Sequence, residues 1–160
     1  MKFKVSQKLY IHVDCDCFFA SCEVLRNPQL QNKFVCVGGD IVIACTYNAK
    51  YVWIKTGMPI WEAKKILKNH AVFLVPDIAY YTEISKKLML ILSQETLKIE
   101  VFSIDEAFCD ISGIPELYKQ THKEFLLCLQ KKILKEVGIP VSIWVSNTRI
   151  KAKIFSRLEK

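Results

Sequence analysis

Two pairs of acidic residues stand where hydrophobic segments end, and both pairs could take part in metal-assisted chemistry. Asp14 closes the apolar run around Ile11, and Asp16 follows two positions later, whereas Asp105 and Glu106 separate two other hydrophobic segments. A carboxylate beside a hydrophobic core is costly to desolvate unless a cation neutralises it. Mg²⁺ is suited to that role, because it binds a few carboxylate oxygens together with substrate phosphates.

Two segments that are far apart in the sequence and each end in acid could place these oxygens side by side. Such an arrangement suits phosphoryl transfer by two metal ions, which stabilise the attacking and the leaving oxygen. The alternative for each acid taken singly is an ordinary residue of a turn or a helix cap.

The elements around the acids are predicted from hydrophobic periodicity. Residues 9–13 alternate as a strand that ends at Asp14, and residues 98–105 and 107–112 read as a strand pair around the second acidic site. Apolar residues at spacings of three and four predict amphipathic helices over 77–97 and 122–137.

The remaining segments alternate between short helices and strands. Helices are predicted over 17–26, from Pro59 onward and over the last residues of the chain, with Asn147 as the cap of the last one. Strands are predicted over 34–39, 41–46, 71–75 and 141–145, with a tight turn at Gly38-Gly39-Asp40. The interpretation is an α+β fold, a mixed sheet with two long helices on one face.

Composition limits the class of protein but does not define it. The chain has 160 residues, 51% of them apolar, and a net charge of +7, which permits a polyanionic partner without demonstrating one. No apolar stretch is long enough to span a membrane and no signal-peptide core is present, so we expect a cytoplasmic protein without membrane association. Seven cysteines without a CxxC pair predict reduced thiols rather than a disulfide framework or a zinc site.

The acids lie within longer motifs, YIHVDCDCFFASCEV at 10–24 and FSIDEAFCDI at 102–111. Two weaker motifs span 46–59 and 141–156, the second reading VSIWVSNTRIKAKIFS. In order and spacing these four segments resemble the Y-family, or translesion, DNA polymerases, most closely the DNA polymerase IV branch, and the resemblance covers nearly the whole chain.

The resemblance implies the UmuC-type catalytic core, here over residues 1–160. It implies a ferredoxin-like palm sheet with two long helices on one face, plus a small α/β fingers subdomain. The palm would comprise about residues 1–37 and 71–160, and the fingers about residues 38–70. The chain stops where the family continues into the thumb and the little finger. We therefore expect a truncated polymerase, for which a missing thumb and little-finger polypeptide is a possible partner.

The resemblance also implies roles for individual residues. Asp14, Asp105 and Glu106 correspond to the catalytic carboxylates that bind two Mg²⁺ ions, and the main-chain carbonyl of Cys15 corresponds to a further metal ligand. These ions would bridge the protein to a deoxynucleoside triphosphate and to the primer 3′-hydroxyl of a primer–template DNA.

Further residues correspond to the nucleotide and DNA sites. Of the pair Phe18 and Phe19, Phe19 corresponds to the steric gate that excludes a ribose 2′-hydroxyl, while one of the two rings can belong to the core. The triphosphate would be held by Tyr47, Lys50 and Lys153. The basic residues Arg149, Lys151 and Arg157 near the end of the chain are candidates for contact with DNA phosphates because of their charge, and the alternative is a solvated helix face.

Trp53 and Trp144 stand where the family has glycine, so we expect a local rearrangement at each, with Trp53 pressing on the fingers core. A competing hypothesis is therefore a non-catalytic remnant, or one piece of a split polymerase, that binds damaged DNA or a partner weakly. Gly38-Gly39-Asp40 is also similar to a motif of nucleotide cyclases, but the Glu-Phe that should follow is absent, so we interpret it as a turn.

Overall fold

The computed structural model describes residues 8–158 and contains seven strands and seven α-helices within that range. The strands are β1 (Tyr10–Cys15), β2 (Phe34–Gly38), β3 (Val42–Cys45), β4 (Ala71–Leu74), β5 (Lys98–Val101), β6 (Glu106–Asp110) and β7 (Val141–Ser146). The helices are α1 (Phe18–Arg26), α2 (Tyr47–Tyr51), α3 (Ile60–Leu67), α4 (Ile78–Glu95), α5 (Ile114–Leu117), α6 (His122–Val137) and α7 (Arg149–Leu158). No helix in this range is both long and apolar enough to cross a bilayer.

The chain forms two compact units. The four-stranded unit consists of the residues up to Cys15 together with those from Ile84 onward, and the three-stranded unit is the continuous segment Asp16–Glu83. The boundary between Glu83 and Ile84 falls within α4.

The four-stranded unit contains an antiparallel sheet in the order β5-β6-β1-β7. Along the chain its strands and long helices follow as β1, α4, β5, β6, α6 and β7. This is the β-α-β-β-α-β order of the ferredoxin-like fold. The predicted palm fold is thereby confirmed, with β1 as an inner strand that is hydrogen-bonded on both sides.

β1 is buried on both of its faces, although only one of them is apolar. Ile11, Val13 and Cys15 point to one face, and His12 and Asp14 point to the other. The long helices contribute buried apolar stripes, Leu88, Ile91 and Leu92 from α4 and Phe125, Leu129 and Ile133 from α6.

The predicted helix over 122–137 agrees with α6, whose ends carry strong local signals. Thr121 and Glu124 form a reciprocal capping box at its start, and Gly138 takes a left-handed conformation with φ 82° after its last residue. α7 begins differently from the prediction, because Thr148 rather than Asn147 accepts a hydrogen bond from the main-chain N–H of Lys151.

The three-stranded unit has the strand order β3-β2-β4, with β2 antiparallel to β3 and parallel to β4. Its small core contains Cys36, Val42, Cys45, Ala49, Ile54, Ala63 and Leu67. The chain reverses at Gly39 and Asp40, between Gly38 at the end of β2 and Val42 at the start of β3, which agrees with the predicted turn.

The units divide at other positions than the predicted palm and fingers boundaries near residues 38 and 70. β2 and β4, which the prediction assigned to the palm, pair with each other and with β3 in one sheet. The reason is hydrogen bonding between strands, which the apolar pattern of a single strand does not reveal. The short helix α2 was also not predicted.

Candidate active site

Asp14 and Glu106 occupy directly opposed positions on the adjacent antiparallel strands β1 and β6. Asp14 is only 8% exposed, and Glu106 is partly buried. On the other side of β1, Asp14 is opposed by Ser142 of β7. Residues opposed across two strands project from the same face of a sheet, so the register brings two distant carboxylates together.

His12 belongs to the same face, two positions before Asp14, and sequence reasoning did not include it among the site residues. Its ring is fully buried, with its centroid 4.9 Å from that of Phe108 and 5.9 Å from that of Trp144. Its Nε2 lies 3.8 Å from Oε2 of Glu106. The signal that could have identified it is the two-residue alternation of β1.

Possible metal-ligand atoms of His12, Asp14 and Glu106 all lie within 4.8 Å of one another. Two carboxylates and one imidazole are a donor set that fits a divalent cation. Such an ion, when bound, would lower the pKa of a coordinated hydroxyl group and neutralise charge on a phosphate.

Asp105 and Cys15, the other predicted metal ligands, are adjacent through the main chain. The N–H of Cys15 donates a 2.9 Å hydrogen bond to the carbonyl of Asp105. The carboxylate of Asp105 instead accepts a 2.6 Å hydrogen bond from the hydroxyl of Ser103. In residues 8–158 the group of mutually close donor atoms therefore contains Asp14 and Glu106 but not Asp105.

Lys153 of α7 contacts Glu106, one of the two opposed carboxylates. Its ammonium group donates to Oε2 of Glu106, and its Nζ lies 4.6 Å from the centroid of the Phe102 ring. The Lys153 side chain is 19% exposed, so this ion pair is partly shielded from water. A residue predicted to bind a triphosphate thus lies beside a predicted metal ligand.

The three-stranded unit contains the two phenylalanines. Phe18 is 4% exposed and lies in the core. Phe19 is partly buried and stacks on Tyr81 at 4.6 Å between ring centroids. One ring belongs to the core and the other is accessible, as the helical spacing predicts.

Tyr81 is held by a polar network that sequence reasoning missed. Its hydroxyl donates a 2.6 Å hydrogen bond to Glu23, which is 3% exposed and also binds Arg26. Burial and this hydrogen bond raise the pKa of Tyr81 well above its ordinary value. Arg26 in turn binds Asp77 at 2.7 Å. The network orders the ring on which Phe19 stacks.

Tyr47 and Lys50 lie together on α2 in the same unit. The Lys50 Nζ lies 5.1 Å from the centroid of the Tyr47 ring. Tyr47 is 49% exposed and Lys50 is also exposed, which leaves a hydroxyl donor and an ammonium group accessible to an anion.

The predicted DNA-binding residues all belong to α7. Arg149 makes an ion pair with Glu100 of β5, and Lys151 is exposed. The side chain of Arg157 is outside the described part of the chain.

The two tryptophans behave differently from each other. Trp53 adopts a left-handed φ of 70° and is 76% exposed, so the expectation that it presses on the fingers core is wrong. The backbone keeps a conformation typical of glycine, and the indole points into solvent. Trp144 is opposed to His12 across β1 and β7 and covers its ring.

The chain is similar to DNA polymerases over part of their length. Residues 13–157 match the model of the IMS family, described as the impB/mucB/samB family. The chain is 36% identical to DNA polymerase IV of Treponema denticola over 97% of its own length and 40% of that protein's. It is 35% identical to DNA polymerase IV of Bacillus anthracis, covering 96% of this chain and 38% of that one.

Solved structures give the same result. A Dbh ternary complex superimposes with a TM-score of 0.85 at 31% identity, covering 95% of this chain and 45% of that one. DinB from Sulfolobus solfataricus superimposes with a TM-score of 0.79 at 31% identity, covering 91% of this chain and 44% of that chain. The chain spans about 40% of the length of the curated relatives it matches.

Proposed function

The chain belongs to the impB/mucB/samB family, and on this premise we propose that it forms the catalytic core of a DNA-directed DNA polymerase. The reaction is template-directed transfer of a deoxynucleotide from a deoxynucleoside triphosphate to a primer 3′-hydroxyl, with release of pyrophosphate, in DNA repair or translesion synthesis. The observation that carries the proposal is the opposition of Asp14 and Glu106 across β1 and β6. We assign the palm to the four-stranded unit and the fingers to the three-stranded unit.

Two Mg²⁺ ions are the proposed cofactors, held by Asp14, Asp105, Glu106 and the main-chain carbonyl of Cys15. The fit of the His12, Asp14 and Glu106 donor atoms to one divalent cation supports this assignment. The hydrogen bond between Cys15 and Asp105 supports it too, because it ties the two strand ends together. In this role the carboxylates would hold the cations, which would bring the 3′-hydroxyl and the phosphates close enough to react.

Further residues are assigned to the incoming nucleotide. Phe19 excludes the ribose 2′-hydroxyl, with Phe18 supporting its ring from the core at 5.7 Å between centroids. Tyr47, Lys50 and Lys153 bind the triphosphate, for which hydroxyl and ammonium donors are suited. Arg149, Lys151 and Arg157 contact DNA phosphates.

We place the protein in the cytoplasm, where DNA and nucleotides are available. All seven cysteines carry free thiols, which supports a reducing compartment.

Primer extension with Mg²⁺ and all four deoxynucleotides tests the proposed function. The wild-type chain is expected to extend a primer, and Asp105→Ala is expected not to do so. Equal products from the two chains would contradict the proposed role of the carboxylates.

If neither chain extends the primer, the segment that follows the matched region in DNA polymerase IV of Treponema denticola is added as a separate polypeptide. Activity restored only to the wild-type chain would identify one piece of a split polymerase. Continued inactivity would identify a non-catalytic protein and overturn the proposal. Cyclic dinucleotide formed without primer would instead identify a cyclase.

A further inference from the structure

Glu106 forms an ion pair with Lys153, and a metal ion bound to Glu106 would have to alter this ion pair. The Lys153 ammonium donates to Oε2 of Glu106, and the His12 Nε2 lies 3.8 Å from the same oxygen. This oxygen therefore lies close to both a cationic side chain and a potential metal ligand.

The ion pair offsets the electrostatic repulsion between Asp14 and Glu106. Asp14 is 8% exposed and is directly opposed by Glu106, so two carboxylates share a poorly hydrated site. Like charges that face each other across two strands repel, and burial weakens the screening by water. A cation placed on one of them offsets this repulsion, and the described residues place Lys153 there.

From this geometry we propose that Lys153 and a divalent cation compete for Glu106. In the metal-free chain Lys153 neutralises the carboxylate, and metal binding displaces its ammonium group. The released amine is then available to an anionic ligand, and on the proposed function that ligand is the triphosphate of the incoming nucleotide. Metal occupancy and phosphate binding are thereby coupled through a single side chain.

Phe102 provides a second contact that keeps the amine near the site. The Lys153 Nζ lies 4.6 Å from the centroid of the Phe102 ring, which is 60% exposed. A cation is attracted to the face of an aromatic ring, so an amine that leaves Glu106 keeps a favourable neighbour. The amine therefore keeps a favourable contact near the site when it leaves Glu106.

Direct metal binding in the absence of nucleotide and DNA tests the competition. Mn²⁺ affinity is measured by electron paramagnetic resonance for the wild-type chain, Lys153→Met and Lys131→Met. Lys131 is an exposed residue of α6, so its variant removes the same charge from the same unit away from Glu106. We expect Lys153→Met to bind Mn²⁺ about fivefold more tightly and Lys131→Met to stay within about twofold of wild type.

An unchanged or weakened Mn²⁺ affinity in Lys153→Met would overturn the proposal. An equal gain in both variants would also overturn it, because it would indicate a general effect of net charge. Circular dichroism of each variant checks that the fold is retained.

A second measurement follows the amine itself. The lysines are converted to ¹³C-dimethylamines, and the Lys153 signal is assigned by its loss in Lys153→Arg. Addition of Mg²⁺ is expected to shift this signal toward the position that it has in Glu106→Gln without metal, and to leave the Lys131 signal unchanged. A Lys153 signal that does not respond to Mg²⁺ would contradict displacement.

Neither measurement requires polymerase activity. A chain that binds metal with release of Lys153 but does not extend a primer would therefore disprove the proposed function alone. A chain that extends primers while the Lys153 signal stays fixed would disprove the exchange alone.

Discussion

Asp14 and Glu106 oppose each other at the same end of two antiparallel strands, β1 and β6, with His12 completing a cluster of donor atoms. The register that unites them is set by burial, because Ile11 and Val13 of β1 must face the core. A shift of one residue would turn every side chain of β1 to the other face of the sheet. The packing of the core therefore also determines which carboxylates can share a cation.

The first prediction concerns the response of stability to metal. Because Asp14 and Glu106 repel each other, Asp14→Asn is expected to stabilise the metal-free chain by about 0.5 kcal/mol. Added Mg²⁺ is expected to raise the melting temperature of the wild-type chain and to leave that of Asp14→Asn unchanged, since a ligand that binds only the folded state stabilises it. Thermal unfolding with and without Mg²⁺ measures both effects.

The control for this experiment is Asp40→Asn, which removes an exposed carboxylate in the turn before β3. It should respond to Mg²⁺ as the wild-type chain does. A stabilisation of Asp14→Asn by Mg²⁺ as large as that of wild type would show that Asp14 is not a metal ligand.

Phe19 is expected to determine the choice of sugar. Phe19→Ala removes the ring that stacks on Tyr81 and, on the proposed function, opens space beside the sugar of the nucleotide. The ratio of ribonucleotide to deoxynucleotide incorporation should rise at least about tenfold, equivalent to about 1.4 kcal/mol. Phe155→Ala, which changes a partly exposed ring on α7, should leave the ratio unchanged in the same single-nucleotide assay. Equal ratios for Phe19→Ala and wild type would remove Phe19 from the site.

Trp53 is expected to be a source of backbone strain. At φ 70° a residue with a Cβ is unfavourable, and the indole gains little from burial at 76% exposure. Trp53→Gly should therefore stabilise the chain by about 0.5 kcal/mol after the larger entropy of the unfolded glycine is subtracted. Urea denaturation should give the opposite sign for Trp61→Gly, an exposed position inside α3, because glycine disfavours a helix. Destabilisation by both changes would show that Trp53 is not strained.

The Gly38-Gly39 pair gives a matched test of close packing. A Cβ added to Gly38 would lie 1.9 Å from the carbonyl oxygen of Ile41, whereas one added to Gly39 would have no neighbour within 4 Å. Gly38→Ala should thus cost about 2 kcal/mol or more in free energy of unfolding, and Gly39→Ala less than about 0.5 kcal/mol. Similar values for the two variants would mean that the turn adapts freely.

The capping box of α6 predicts a dependence of stability on pH. Hydrogen bonds from the N–H and the hydroxyl of Thr121 lower the pKa of Glu124 below its ordinary value. A carboxylate with a lowered pKa in the folded state contributes stability above its unfolded pKa and loses this contribution as the pH falls through the folded pKa. The stability difference between wild type and Glu124→Gln should be present at pH 6 and decline toward pH 3 in urea titrations. A difference independent of pH would exclude the ionised carboxylate as its source.

The positions of the acids relative to the strands could be predicted from the sequence because the signals are local. The apolar alternation of β1 ends near Asp14, and Glu106 of the second acidic pair starts β6. Glu106 is the first residue of β6 and opposes Asp14, whereas Asp105 lies in the bend before β6 and accepts a hydrogen bond from Ser103. The strand register therefore places Glu106, and not Asp105, in the cluster with Asp14.

Contacts between distant elements could not be predicted in the same way. The ion pair of Lys153 with Glu106 depends on how α7 packs on β1 and β7, and the network of Glu23 with Tyr81 joins α1 to α4. The assignment of β2 and β4 to one sheet likewise depends on pairing partners, which periodicity does not specify. Helix α6 was predicted well because its caps and its apolar stripe are encoded within the helix itself.

The four-stranded unit is built from two separate stretches of the chain, and this affects the order in which it can fold. Its inner strand β1 is synthesised first, yet its two neighbours β6 and β7 leave the ribosome only after the whole Asp16–Glu83 segment. That segment is continuous and can close its own sheet while synthesis proceeds, whereas β1 waits with both edges unpaired. An unpaired apolar strand is prone to association with other chains. The pairing of β1 with β6 and β7, which brings the acidic cluster together, is therefore completed only late in synthesis.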